Sequence, residues 1–122
     1  LKEDFNELYF NEIKMNYTGN RIDIRNGLIY LTPVGMDADD KLRQKFIEYE
    51  LNNNFRNKLI NNIKQLDSEN NINNEQTIDV VKGGKTGVSI VPKGVDKTQI
   101  LNYFPNNSKI YFFGDNCQED GN

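Results

Sequence analysis

At 122 residues with 36% hydrophobic content, the chain is one domain's length and supports a modest core. A net charge of −3 and a pI near 5.0 exclude the basic surface on which nucleic-acid binding depends, and no run approaches the roughly 18 apolar residues of a membrane span. With no histidine and a single cysteine, Cys117, there is no typical zinc site, Ser-His dyad or disulfide framework; with no visible signal segment, the chain reads as soluble and cytoplasmic.

From the start of the chain, Phe5, Leu8, Tyr9 and Ile13 recur at helical spacing, so residues 1–15 are expected to form an amphipathic helix. The abrupt beginning, without an initiator Met, reads as a segment cut from something longer. In Arg21 to Leu31 two alternating runs flank Asn26-Gly27, a strong short-range signal for a hairpin with a type I′ turn. A two-residue turn pairs Arg25 with Leu28, Ile24 with Ile29 and Ile22 with Leu31. The isoleucines and Leu31 then share the packed face, while Arg25 points the other way with Asp23 and Tyr30. Met36-Asp37-Ala38-Asp39-Asp40 precedes an apolar periodicity and suits a helix N-cap, with acidic residues at the positive end of the dipole. Leu42, Phe46 and Tyr49 form one stripe and Phe55, Leu59, Ile63 and Leu66 another; Asn52 to Asn54 divides two helices or bends one. Arg43 flanks the first stripe. Half of the chain's asparagines lie between Asn52 and Asn74, a compositional feature of a surface helix and loop rather than chemistry.

Asp67 to Glu75 is expected to be a polar loop, and Thr77 to Val81 to begin a second β pair. Lys82 to Gly87 contains Gly-Lys-Thr but lacks the earlier glycine and the following helix of a phosphate-binding loop, so it is predicted to be a glycine-rich hairpin connection. Val88 to Val91 is an unalternated apolar run of the kind covered on both faces, as in a parallel sheet. Gly87, Ser89 and Val91 share one face of that run, and packing of Val88 and Ile90 on the helices puts Ser89 on the face of Arg25. The pattern predicts a four-stranded, mostly antiparallel sheet backed by helices, an α+β module. After Pro92 come a loop with Asp96 and Lys97, a short amphipathic helix (Ile100, Leu101, Tyr103, Phe104) and a second apolar strand, Ile110 to Phe113, ending at Gly114-Asp115. Asp115 thus falls at a strand's carboxyl end, where open α/β sheets place ligands. Lys97 opens the helix, where an ammonium beside backbone N–H groups suits phosphate.

Arg25-Asn26-Gly27-Leu28, Thr32-Pro33-Val34-Gly35, Gly83-Gly84, Pro92 to Lys97 and Phe112-Phe113-Gly114-Asp115 stand in an order and at intervals that resemble those of the eukaryotic phosphomannomutases, within the haloacid dehalogenase superfamily. The resemblance covers nearly the whole chain. It implies a cap domain over residues 1–94 and, over residues 95–122, a fragment of the Rossmann-like α/β core. It implies an isomerase that interconverts mannose 6-phosphate and mannose 1-phosphate for GDP-mannose synthesis through a phospho-aspartate, with magnesium, a hexose 1,6-bisphosphate activator and a homodimer formed through the cap. Asp115 would be a magnesium ligand, Lys97 would pair with the phosphoryl group and the nucleophile, and Arg25 and Arg43 would hold the phosphate not being transferred. The nucleophile would lie upstream of Leu1, so this fragment alone is expected to be inactive; the Asp-x-Asp pairs at Asp37 to Asp39 do not directly end a strand and do not supply it. Met36 stands where the family has a third arginine, and Gly87 and Ser89 where it has a serine and an aspartate that hold sugar and phosphate; Ser89 partly replaces that acceptor. A capped sugar-phosphate phosphatase and a non-catalytic dimerising cap are the alternatives.

Overall fold

The computed structural model describes residues 15–114, so the helix expected over 1–15 lies outside the described residues apart from Met15. Two hairpins form one sheet in the order β1-β2-β4-β3, with β1 at Ile22–Arg25, β2 at Leu28–Leu31, β3 at Ile78–Gly83 and β4 at Gly87–Pro92. All three pairings are antiparallel. The first hairpin has the register that a two-residue turn dictates, with Arg25 opposite Leu28 and Ile22 opposite Leu31. Its turn differs from the expected type I′, since φ is positive at Gly27 (77°) and not at Asn26; one left-handed residue is enough to close this loop, and glycine takes that position without strain.

The unalternated run in β4 has a different cause from the one its sequence suggests. β4 is antiparallel to both neighbours and lies inside the sheet, so helices cover Val88 on one side while side chains of the sheet's other face cover Ser89, 0% and 6% exposed respectively.

Two helices back the sheet, α1 at Asp40–Asn53 and α2 at Phe55–Asn70. Asp39 caps α1 as expected, its Oδ1 accepting from the Leu42 amide at 2.7 Å. The break falls on Asn54, whose left-handed φ of 50° ends α1 and starts α2; asparagine tolerates that region better than other residues with a Cβ. Glu50 fixes the angle between the helices, because its carboxylate accepts from both the amide and the Nε of Arg56, at 3.0 and 3.1 Å. The stripes meet in a core of Leu31, Val34, Phe46, Phe55, Leu59, Ile63, Val80 and Val88, with Phe46 and Phe55 edge to face at 6.2 Å. Burial of each large side chain contributes roughly 1.5–3 kcal/mol.

Three apolar residues expected in that core are not there. Leu66, at 42% exposure, lies past the covered part of α2, and Ile24 (70%) and Ile29 (37%) sit toward the tip of the first hairpin, beyond the helices' reach. α2 also extends four residues, Asp67 to Asn70, into the segment expected to be loop. Asp67 accounts for this: its carboxylate binds the Thr77 hydroxyl and amide, both at 2.6 Å, and so ties the helix end to the start of β3. Beyond Pro92, a 3-10 helix spans Lys97–Tyr103, capped by Asp96 through the Thr98 amide at 2.7 Å. The run Ile110 to Phe113 does not form the expected strand and is 47–89% exposed. A doubly covered strand needs ladder partners on its flanks, and none of the described residues supplies them.

Candidate functional site

One face of the sheet packs on the helices; the other presents Asp23, Arg25, Leu28 and Tyr30 from the first hairpin beside Ser89 and Gly83 from the second. Alternation puts them there, and the pairing of Tyr30 with Ser89, and of Ser89 with Val81, sets their neighbours. Arg25 is held at the rim, its Nε donating to Asp23 Oδ2 at 2.6 Å with the guanidinium carbon 5.8 Å from the centroid of the Tyr30 ring. Its side chain remains 52% exposed, and Asp23 takes only its Nε edge, which leaves the terminal N–H groups facing outward.

Arg43 reaches the same region from the first turn of α1. The Asp39 cap starts the helix, and the guanidinium folds back over the β2–α1 loop, with Nε donating to Ala38 O at 2.7 Å and Nη2 to Met36 O at 3.3 Å. Neutral carbonyls orient this cation without cancelling its charge, unlike the carboxylate beside Arg25. The loop beneath is tightly built. Gly35 has φ of 84°, and a Cβ there would overlap the Thr18 carbonyl, which accepts from the Asp37 amide at 3.0 Å.

Arg25, Arg43 and Ser89, all picked out from the sequence, line a single cavity of about 350 Å³ with Leu28, Tyr30, Thr32 and Thr86. That volume is in the range of small-molecule sites. Ser89 is 6% exposed and its hydroxyl has no hydrogen-bond partner among the described residues. Buried hydroxyls are nearly always satisfied, so an unpartnered donor and acceptor in a cavity that two guanidinium-bearing residues also line suits an oxygen-rich ligand. Thr32 and Thr86, by contrast, satisfy each other at 3.1 Å. Lys97 is placed apart from this cluster. It lines a second cavity of about 480 Å³ with Asp79, Asp96 and Lys64, and Leu28 and Ser89 border both cavities, so the two adjoin. Asp96 is held below its ordinary carboxyl pKa, first by the hydroxyl and then by the amide of Thr98, as a helix cap would be. Asp115 lies outside the described residues. Among the described residues no three carboxylate, thiol or imidazole groups gather as a cation site.

Sequence reasoning put Tyr30 on the correct face but gave it no role. Its hydroxyl donates to Gly83 O at 3.0 Å, so the ring crosses from β2 over β4 to β3. The signal was in Gly83, Gly84 and Gly87, which leave the space that the ring occupies.

The description of the eukaryotic phosphomannomutase family matches residues 3–122. The chain belongs to that family. It is 33% identical over 104 residues to a phosphomannomutase of Arabidopsis thaliana, covering 85% of this chain and 40% of that protein. A probable phosphomannomutase of Caenorhabditis elegans is 30% identical over 105 residues, 85% of this chain and 39% of its own length, and one of Triticum aestivum is 30% identical over 104 residues, again 85% and 39%. The chain thus spans about two fifths of the length of these curated relatives. Three positions singled out in the sequence, Met36, Gly87 and Ser89, fall at or beside the site. Met36 and Ser89 line the cavity, and a side chain at Gly87 would overlap the Tyr30 ring.

Proposed function

We propose that this chain is the substrate-gripping part of a phosphomannomutase that interconverts mannose 6-phosphate and mannose 1-phosphate through a phospho-aspartate, in the supply of GDP-mannose. One observation carries the proposal: two guanidinium groups from separate elements and the unsatisfied hydroxyl of Ser89 line one cavity of hexose-phosphate size. A mutase must hold the non-reacting phosphate while either end of the sugar faces the transfer site, and guanidinium forks suit a dianion in more than one orientation. Arg25 and Arg43 bind that phosphate, and Ser89 binds a sugar hydroxyl. Lys97, on the adjoining cavity, faces the phosphoryl group being transferred. Met36 in place of a cation weakens phosphate binding by roughly 1.5–3 kcal/mol relative to a site with a third arginine.

Magnesium belongs to the same proposal and, when bound, neutralises charge on the transferring oxygens. Asp115 is its proposed ligand; the described residues gather no cation site of their own, and the roles above are those of side chains alone. A hexose bisphosphate activator, a cytoplasmic location and a homodimer through the cap complete the proposal; Ile24 and Ile29 at the hairpin tip offer apolar surface for such a contact, and no described helix is long and apolar enough to cross a membrane. The test is a coupled assay on the protein that carries this chain. Conversion of mannose 1-phosphate to mannose 6-phosphate, stimulated by hexose bisphosphate, is the expected result. Release of inorganic phosphate without isomerisation would make it a phosphatase, and a folded protein with neither activity would make the cap a binding module.

A further inference from the structure

Tyr30 is laid across the β3–β4 hairpin in a way that packing of the sheet does not require. A Cβ at Gly83 would stand 2.8 Å from its Cε2, one at Gly84 would stand 3.2 Å from its hydroxyl oxygen, and one at Gly87 would overlap Cζ and the hydroxyl. The ring therefore fills the volume that three glycines leave over the backbone, and the bond from its hydroxyl to Gly83 O, at 3.0 Å, anchors the far end. It also lines the cavity between Arg25 and Ser89. An aromatic face is apolar and electron-rich. The C–H faces of a pyranose are the apolar part of a sugar, whereas a bare phosphate has no such part.

We propose that Tyr30 is a specificity-determining residue, a platform on which the C–H face of the hexose ring stacks while Arg25 and Arg43 hold the phosphate. The proposal rests on the sugar-phosphate reading above and adds how the site tells a hexose phosphate from phosphate alone. Gly83 and Gly87 are part of the same device, because a Cβ at either would stand within 3.0 Å of the ring. The guanidinium carbon of Arg25 lies over the same ring, 5.8 Å from its centroid, which brings the bound anion beside the stacked sugar.

The experiment is calorimetric titration of the protein carrying this chain with mannose 6-phosphate and, separately, with inorganic phosphate, using Tyr30→Leu, Tyr30→Phe and Arg25→Ala. Tyr30→Leu keeps apolar bulk but removes the ring; it should weaken mannose 6-phosphate roughly tenfold while leaving inorganic phosphate within about twofold. Tyr30→Phe should stay within about threefold of wild type for both ligands, since the hydroxyl only anchors the ring. Equal losses for both ligands in Tyr30→Leu would reduce Tyr30 to a structural part, and no loss for either would remove it from the site. If Arg25→Ala weakens both ligands while Tyr30→Leu affects neither, only the platform fails. If Arg25→Ala leaves mannose 6-phosphate binding intact, the sugar-phosphate reading fails and the platform with it.

Discussion

Arg25→Ala separates binding from stability, because this guanidinium is held by little that the fold needs. In the folded chain it loses an ion pair to Asp23 with a half-exposed side chain, worth about 0.2–1 kcal/mol. The Tyr30 contact, at 5.8 Å from the ring centroid, is at the outer edge of such interactions and adds at most about 0.5 kcal/mol. The expected loss of stability is therefore about 1.5 kcal/mol or less. Binding should suffer more. An ion-assisted hydrogen bond is worth about 1.5–3 kcal/mol, and because the group is half exposed the lower end applies, about 1.5–2 kcal/mol, or ten- to thirtyfold in affinity for mannose 6-phosphate. Removing the cation also leaves the Asp23 carboxylate uncompensated beside the incoming phosphate, which adds repulsion in the same direction. Asp23→Asn should act the other way, releasing the Nε of Arg25 and tightening phosphate binding a few-fold at low salt, with the gain shrinking as ionic strength rises. Titration calorimetry at two salt concentrations, beside thermal denaturation followed by circular dichroism, measures both quantities. An Arg25→Ala affinity within twofold of wild type, or Asp23→Asn weakening the phosphate, would refute the assignment of this cation to the ligand.

Arg56→Met should reach the same site indirectly. The guanidinium joins Glu50 at the junction of α1 and α2 to the Gly84 carbonyl in the β3–β4 hairpin, at 3.1 and 3.3 Å, and the pair is only 15% and 12% exposed; the loss, read from denaturant unfolding, should be about 1–3 kcal/mol through the uncompensated Glu50, with Glu50→Gln in the same background recovering part of it. Asp67 should give the fold an acid-sensitive component. Its carboxyl is held below the ordinary value of 3.8, chiefly by the Thr77 hydroxyl and further by the Thr77 and Ile78 amides. The unfolded chain therefore takes up this proton first as pH falls, so the contribution is complete above the ordinary carboxyl pKa and is lost as pH drops through the folded value. Melting temperatures measured from pH 6 to pH 3 should decline less steeply in Asp67→Asn than in wild type; parallel curves would remove Asp67 as a cause.

Much of the candidate site was legible because it depends on local rules. Asn26-Gly27 fixed the pairing of Arg25 with Leu28, and alternation then put Arg25, Tyr30 and Ser89 on one face without any knowledge of what lies opposite. The Asp39 cap similarly placed Arg43 in the first turn of α1. The turn type is not fixed by the same rule, since register needs only a loop of two residues and is indifferent to the φ of Asn26.

Periods, caps and turn positions can be read from the chain alone, since each is set by residues within about four places of one another: two hairpins, two helices parted at the asparagines, and the rejection of a phosphate-binding loop at Lys82 to Gly87. What those elements cover depends on how they pack. Packing left Ile24 and Leu66 in solvent, carried α2 on to Asn70 through a carboxylate ten residues from Thr77, made β4 an interior antiparallel strand, and gave Ile110 to Phe113 no ladder. It also laid the Tyr30 ring over glycines more than fifty residues away. Burial belongs to pairs of elements, and no local pattern states which pairs will meet.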